Sequence, residues 1–203
     1  MYIDQVRQEI VFKIVYYGPG LGGKTTNLQY VYDHLEPSRR GQLITIPTKD
    51  ERTLFFDFMQ LELGRIQGKL PKFNLYTVPG QAQYNFGRKI IMRGADGLVF
   101  VADSQTERMR DNLDSLLDLE IKLASNSTSL SHVPWVIQYN KRDLLNINPM
   151  TRLEAKLNFL KVPAFEAVAI KGTGVFETLK AVIQLVVSSA TLQKQKKIKE
   201  YSY

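Results

Sequence analysis

Residues 18–25, Gly18-Pro-Gly-Leu-Gly-Gly-Lys24-Thr25, read G-x-x-x-x-G-K-T and follow directly on the strand-like run 11–17. Strand, glycine loop and helix start in that order define a phosphate-binding unit, which confines the chain to an α/β sheet with ligands at strand ends. Gly18, Gly20, Gly22 and Gly23 let the backbone pass close to phosphate oxygens, with Leu21 in the middle of the loop. The loop N–H groups and the N-terminus of the following helix add positive potential. Lys24 is predicted to reach the β- and γ-phosphates, and the Thr25 hydroxyl to ligate Mg²⁺, with Thr26 beside it in the same cradle. A glycine-rich turn with a surface lysine would not need that context, so the motif predicts a nucleoside triphosphate site.

The 203 residues suit one domain with a single core, and 44% hydrophobic with 23% charged residues are globular values. With no cysteine in the chain, disulfides and thiolate metal sites are excluded. The start, Met1-Tyr-Ile-Asp-Gln, lacks a signal-peptide pattern, Tyr2 stands where myristoylation needs glycine, and no stretch is expected to span a membrane. A cytoplasmic protein is expected. The net charge of +7 is partly local, because four lysines against Glu200 give +3 over residues 194–203. We therefore expect a domain over 1–193 and a basic tail over 194–203. No basic stretch is interleaved with aromatics, so no nucleic-acid partner is expected, and the tail offers at most weak contact with a membrane surface.

Strand and helix signals alternate. Strands are predicted at 11–17, 53–63, 69–78, 97–102, 133–139 and 164–169, and helices at 24–35, 84–93, 107–125, 150–160 and 174–193. The runs 97–102 and 133–139 are almost wholly apolar, as parallel strands buried on both faces require. Leu113, Leu116, Leu117, Ile121 and Ala124 are predicted to form the core face of the third helix, and Phe176, Leu179, Ile183 and Val186 that of the last. Only a short turn joins 53–63 to 69–78, so the two must form an antiparallel hairpin at the sheet edge. The predicted fold is a six-stranded, mostly parallel, doubly wound sheet with one antiparallel edge strand and about five helices. Apolar residues occupy both phases of 53–63, which leaves the register of that strand weakly specified.

Asn140-Lys141-Arg142-Asp143 reads N-K-x-D at the end of a predicted strand. The Asp143 carboxylate can accept from the N1–H and exocyclic amine of guanine, a donor pair that adenine lacks. Asn140 can brace the loop and the Lys141 stem can cover the base. The later loop, with Ala169 and Ile170, lies where a backbone N–H could meet the guanine carbonyl.

Together these elements resemble the Ras-like small GTPases over nearly the whole chain. Tyr16-Tyr17-Gly18-Pro-Gly, the run from Asp50 to Phe58, Tyr76-Thr77-Val78-Pro79-Gly80-Gln81, Val101-Ala102-Asp103-Ser104-Gln105 and Tyr139-Asn140-Lys141-Arg142-Asp143 look like the bacterial MglA-type polarity GTPases. The resemblance implies that Thr53 is the switch threonine meeting Mg²⁺ and γ-phosphate, and that the Gly80 N–H senses the γ-phosphate. It also implies that Gln81 orients the attacking water and that Arg52 is an internal arginine finger. Thr77 stands where these proteins usually carry an aspartate, so the metal shell is expected to lean on Thr25, Thr53 and phosphate oxygens. A strand shift over 53–60 between nucleotide states is implied too.

The expected function is a GTP-binding switch that hydrolyses GTP to GDP, slowly without an activator, in the control of bacterial polarity or motility. Implied partners are a roadblock-type dimeric activator of the MglB kind and polarity effectors, with recruitment to a cell pole. The alternative is a nucleotide-locked scaffold with negligible turnover. A P-loop kinase or ATPase is disfavoured, because residues 140–143 would have no task there.

Overall fold

The structure is a computed structural model that describes residues 1–4, 9–46, 56–64, 70–78 and 85–200. Its strands are β1 (Tyr2–Asp4), β2 (Glu9–Tyr17), β3 (Ile44–Ile46), β4 (Phe56–Glu62), β5 (Leu70–Thr77), β6 (Gly97–Asp103), β7 (Trp135–Asn140) and β8 (Ala164–Glu166). Its α-helices are α1 (Lys24–His34), α2 (Asn85–Met92), α3 (Met109–Ala124), α4 (Met150–Leu157) and α5 (Val175–Glu200). The sheet runs β3-β4-β5-β2-β6-β7-β8, with β1 pairing β2 beside that path. From β5 to β8 the pairs are parallel, while β4 runs antiparallel to both β3 and β5. The architecture is the doubly wound one the sequence predicts, with two short strands added. One of them, β3, caps the β4–β5 hairpin, so the hairpin does not form the edge. Its three residues lie in the long stretch after α1, too few to give a strand signal.

Strands β6 and β7 are buried along their whole length. Two apolar clusters sandwich them, one against α2, α3 and α4 and the other against α1 and α5. The expected core face of α3 requires correction. Leu116 is buried, but Leu113, Leu117, Ile121 and Ala124 are exposed, and Met109, Leu119 and Leu123 take the inner positions. The helix carries two apolar stripes about one residue apart, and periodicity alone does not say which one the sheet receives. On α5 the expected Leu179 and Val186 are buried with Val175 and Val182, while Phe176 and Ile183 are half-buried. This helix runs on to Glu200, through most of the stretch expected as a tail. Its segment Val175–Leu192 is long and apolar enough to cross a membrane by length and composition, contrary to the sequence expectation. In the fold it lies along β6 and β7 with one face buried.

Candidate nucleotide-binding site

The glycine loop leaves β2 at its buried end and turns sharply. Gly18 and Gly23 have φ of 141° and 102°, and Leu21 stands in the left-handed region at 62° with its side chain outward. A Cβ on Gly18 would collide with the Val101 carbonyl oxygen, and one on Gly23 with the Asn140 amide nitrogen. Glycine is required at both positions for close backbone approach as well as for dihedral freedom. Helix α1 begins at Lys24, so the first free N–H groups of the helix point into this loop.

Lys24 is buried within the loop, its Nζ donating to the Gly18 and Pro19 carbonyls at 2.9 and 2.6 Å. Burial, followed by repulsion from Arg88, lowers its pKa to about 7 against the upward pull of Asp57. A desolvated ammonium with only carbonyl partners is a strong attractant for anionic oxygens. A second cation braces the loop from outside: Arg108, the residue just before α3, donates from Nη2 to the Gly20 carbonyl at 2.7 Å. No sequence signal marks Arg108, because it belongs to no motif and reaches the loop across 88 positions.

Asn140 joins the two loops. Its Nδ2 donates to the Gly22 carbonyl at 2.9 Å, and its Oδ1 accepts from the Ala169 N–H at 2.9 Å. The Ala169 amide is thus engaged within the protein, and Ile170 beside it is exposed. Lys141 takes a left-handed φ of 66° and its Nζ donates to Asp103 at 2.6 Å and Gln105 at 3.3 Å. Asp103 is a fully buried carboxylate at the end of β6. Its place in the Val-Ala-Asp-Ser run carries no sign of that contact, which forms only when β6 and β7 pair. Asp143 pairs with Lys171 across 3.3 Å at the same mouth. Beneath both loops Asn27 and Gln138 exchange amide hydrogen bonds of 2.8 and 2.9 Å, with Gln138 also donating to Thr178 at 3.1 Å. That fully buried network locks α1, β7 and α5 together.

At the other end of the loop, Thr25 Oγ1 donates to Asp57 Oδ2 at 2.6 Å. Thr77 Oγ1 donates to the same oxygen at 2.8 Å, and Thr45 Oγ1 to Oδ1 at 3.0 Å. Antiparallel pairing creates this row: Thr45 is opposite Asp57 on β3, and the Asp57 N–H donates to Thr77 Oγ1 at 2.8 Å on the β5 side. Asp57 carries no sequence signal, because it lies between two phenylalanines in an apparently apolar strand.

The described residues therefore gather Gly18, Gly20, Leu21, Gly22, Gly23, Lys24, Thr25, Thr26, Asn140, Lys141, Asp143, Ala169 and Ile170 around the carboxyl ends of β2, β6 and β7. Arg52, Thr53, Gly80 and Gln81 lie outside the described residues. The Thr25 hydroxyl beside a buried carboxylate fits a Mg²⁺ ion, a hard cation that prefers oxygen ligands.

The sequence matches the ADP-ribosylation factor family over residues 2–186. It is also 52% identical over 187 residues to the "Mutual gliding-motility protein MglA" of Myxococcus xanthus (strain DK1622), covering 92% of this chain and 96% of that protein.

Proposed function

This chain belongs to the ADP-ribosylation factor family of small GTPases, and from that premise we propose that it is a GTP-hydrolysing switch governing polarity or gliding motility in a bacterial cell. The observation that carries the reading is the Asn140 bridge, which fastens the phosphate loop and the base loop into one cleft. A nucleotide fits across that bridge, with phosphates on the Lys24 loop and guanine beside Asp143. The similarity to a gliding-motility protein supports the cellular role.

In this mechanism the loop amides and Lys24 hold the β- and γ-phosphates, and the phosphate oxygens replace the two carbonyls that Lys24 contacts. The Thr25 and Thr53 hydroxyls would hold a Mg²⁺ ion, which would supply neutralisation of phosphate charge. Gln81 orients the attacking water, and Arg52 brings positive charge to the transferring phosphoryl group. The Gly80 N–H meets the γ-phosphate, which makes that segment sensitive to its presence. Asp143 accepts from the guanine edge, with the Ile170 N–H, next to the engaged Ala169 amide, toward the base carbonyl.

Turnover is slow until a partner brings Arg52 and Gln81 to the γ-phosphate, and a roadblock-type dimer of the MglB kind is the activator we assign. Polarity effectors read the GTP form, and the protein works in the cytoplasm with recruitment to a pole. Residues 1–193 act as the switch, and 194–203 serve localisation.

Calorimetric titration with GTP, GDP and ATP in Mg²⁺ tests the reading. GTP and GDP should bind tightly and ATP at least about 10³-fold more weakly, as sites built around a substrate N–H pair discriminate. Comparable affinity for ATP would refute the guanine assignment.

A further inference from the structure

We propose that Asp57 supplies the carboxylate of the Mg²⁺ site from the neighbouring strand, acting as a positioning residue behind Thr25. This rests on the nucleotide-switch reading above. Thr77 occupies the end of β5 and has no charge to offer. One strand over, and directly across the ladder, Asp57 brings a carboxylate to within 2.6 Å of the Thr25 hydroxyl. The side chain is 4% exposed. Among the described residues its donors are the three hydroxyls of Thr25, Thr45 and Thr77. A carboxylate so deeply placed, with only hydroxyl donors among the described residues, is poorly compensated for its lost hydration. Lys24 is close enough for its charge to feel Asp57, but its ammonium points to the Gly18 and Pro19 carbonyls. A divalent cation at the Thr25 hydroxyl would complete the balance.

The direction of the Thr25 bond also fits. Its proton goes to Asp57, which turns the oxygen lone pairs away from the carboxylate and leaves them for a cation. Carboxylates behind a ligand orient it and raise its basicity, and their loss typically lowers metal affinity about 10–100-fold. Thr77 also donates to Asp57 and accepts from its N–H, so it holds the carboxylate in place. The threonine that removes a charge from β5 is thus the residue that positions one on β4.

The test follows release of a fluorescent GDP from the full chain across a Mg²⁺ titration. In wild type, Mg²⁺ should slow release. Asp57→Asn should need about 10–100-fold more Mg²⁺ for the same effect. The exchange variant Asp57→Thr with Thr77→Asp returns one carboxylate to the row and should recover a midpoint close to wild type. It also serves if Asp57→Asn does not fold. A wild-type Mg²⁺ midpoint in Asp57→Asn, or an exchange variant ten times weaker than wild type, overturns the proposal. GDP release from wild type that ignores Mg²⁺ would instead refute the metal-assisted switch reading itself.

Discussion

The Asn140 side chain donates to the Gly22 carbonyl across 118 positions of sequence, at 2.9 Å and out of contact with water. Because the same amide accepts from Ala169, one residue sets the spacing between the phosphate cradle and the base loop. Neither loop can shift without breaking a buried hydrogen bond, and orphaning either partner costs about 1–3 kcal/mol. Base selection and phosphate binding are thereby coupled through protein geometry.

Base selection itself is assigned to Asp143. Asp143→Asn replaces an acceptor with a donor opposite the guanine N–H groups. The variant should favour xanthine over guanine nucleotides, whose changed edge suits a donor. Competition between GTP and xanthosine triphosphate reads this directly, and an unchanged preference for GTP would contradict the assignment.

The Asn27–Gln138 pair predicts a stability effect separate from chemistry. Asn27→Leu removes one amide and leaves Gln138 with unmet hydrogen-bonding capacity in a fully buried position. Unfolding in urea should show a loss of about 1–3 kcal/mol. Replacing both residues by apolar ones of similar shape should recover part of that loss, since neither amide is then orphaned.

Lys24 predicts a pH dependence with a definite sign. In the nucleotide-free protein its pKa is lowered to about 7, chiefly by burial. Bound phosphates favour the charged form, so the bound value is higher. Above pH 7 the free protein has lost a proton that the complex retains, and binding must take one up. Affinity should therefore fall as pH rises from 7 towards the bound-state value, by up to about tenfold per unit. Titration at pH 8 in buffers of differing ionisation enthalpy would detect the proton, and pH-independent affinity between 7 and 9 would contradict this.

The sequence carried the architecture because the glycine loop and two fully apolar strands leave little choice of fold. It also carried both loops of the cleft, since motif spacing encodes backbone conformation. What it did not carry depends on pairing between distant residues. Asp57 gains its meaning only from standing between Thr45 and Thr77 in the sheet. Arg108 and Asp103 meet the site through tertiary packing. The inner face of α3 is not legible in the sequence because two stripes of apolar residues compete on one helix, and only the sheet beneath selects Leu116, Leu119 and Leu123.

Strand β4 presents Asp57, Met59 and Leu61 to the buried face and Phe56 and Phe58 to the other. A slip of two residues preserves that alternation while moving Asp57 by about 6–7 Å from Thr25, so the Mg²⁺ role proposed for Asp57 belongs to the form that keeps the present pairing. We expect the GDP and GTP forms to differ by such a slip, which delivers Arg52 and Thr53 to the nucleotide. Structures of both forms with identical pairing over residues 53–60 would contradict it.

Single-turnover hydrolysis of bound GTP, with and without a roadblock-type dimer, tests the switch most directly. The wild-type protein should hydrolyse slowly alone and be accelerated by the partner. An engaged arginine contributes about 10³–10⁵ in rate, so Arg52→Ala should bind GTP normally yet lose most of that acceleration, as should Gln81→Leu. Absence of turnover in wild type under both conditions would contradict the account and leave a nucleotide-locked scaffold in its place.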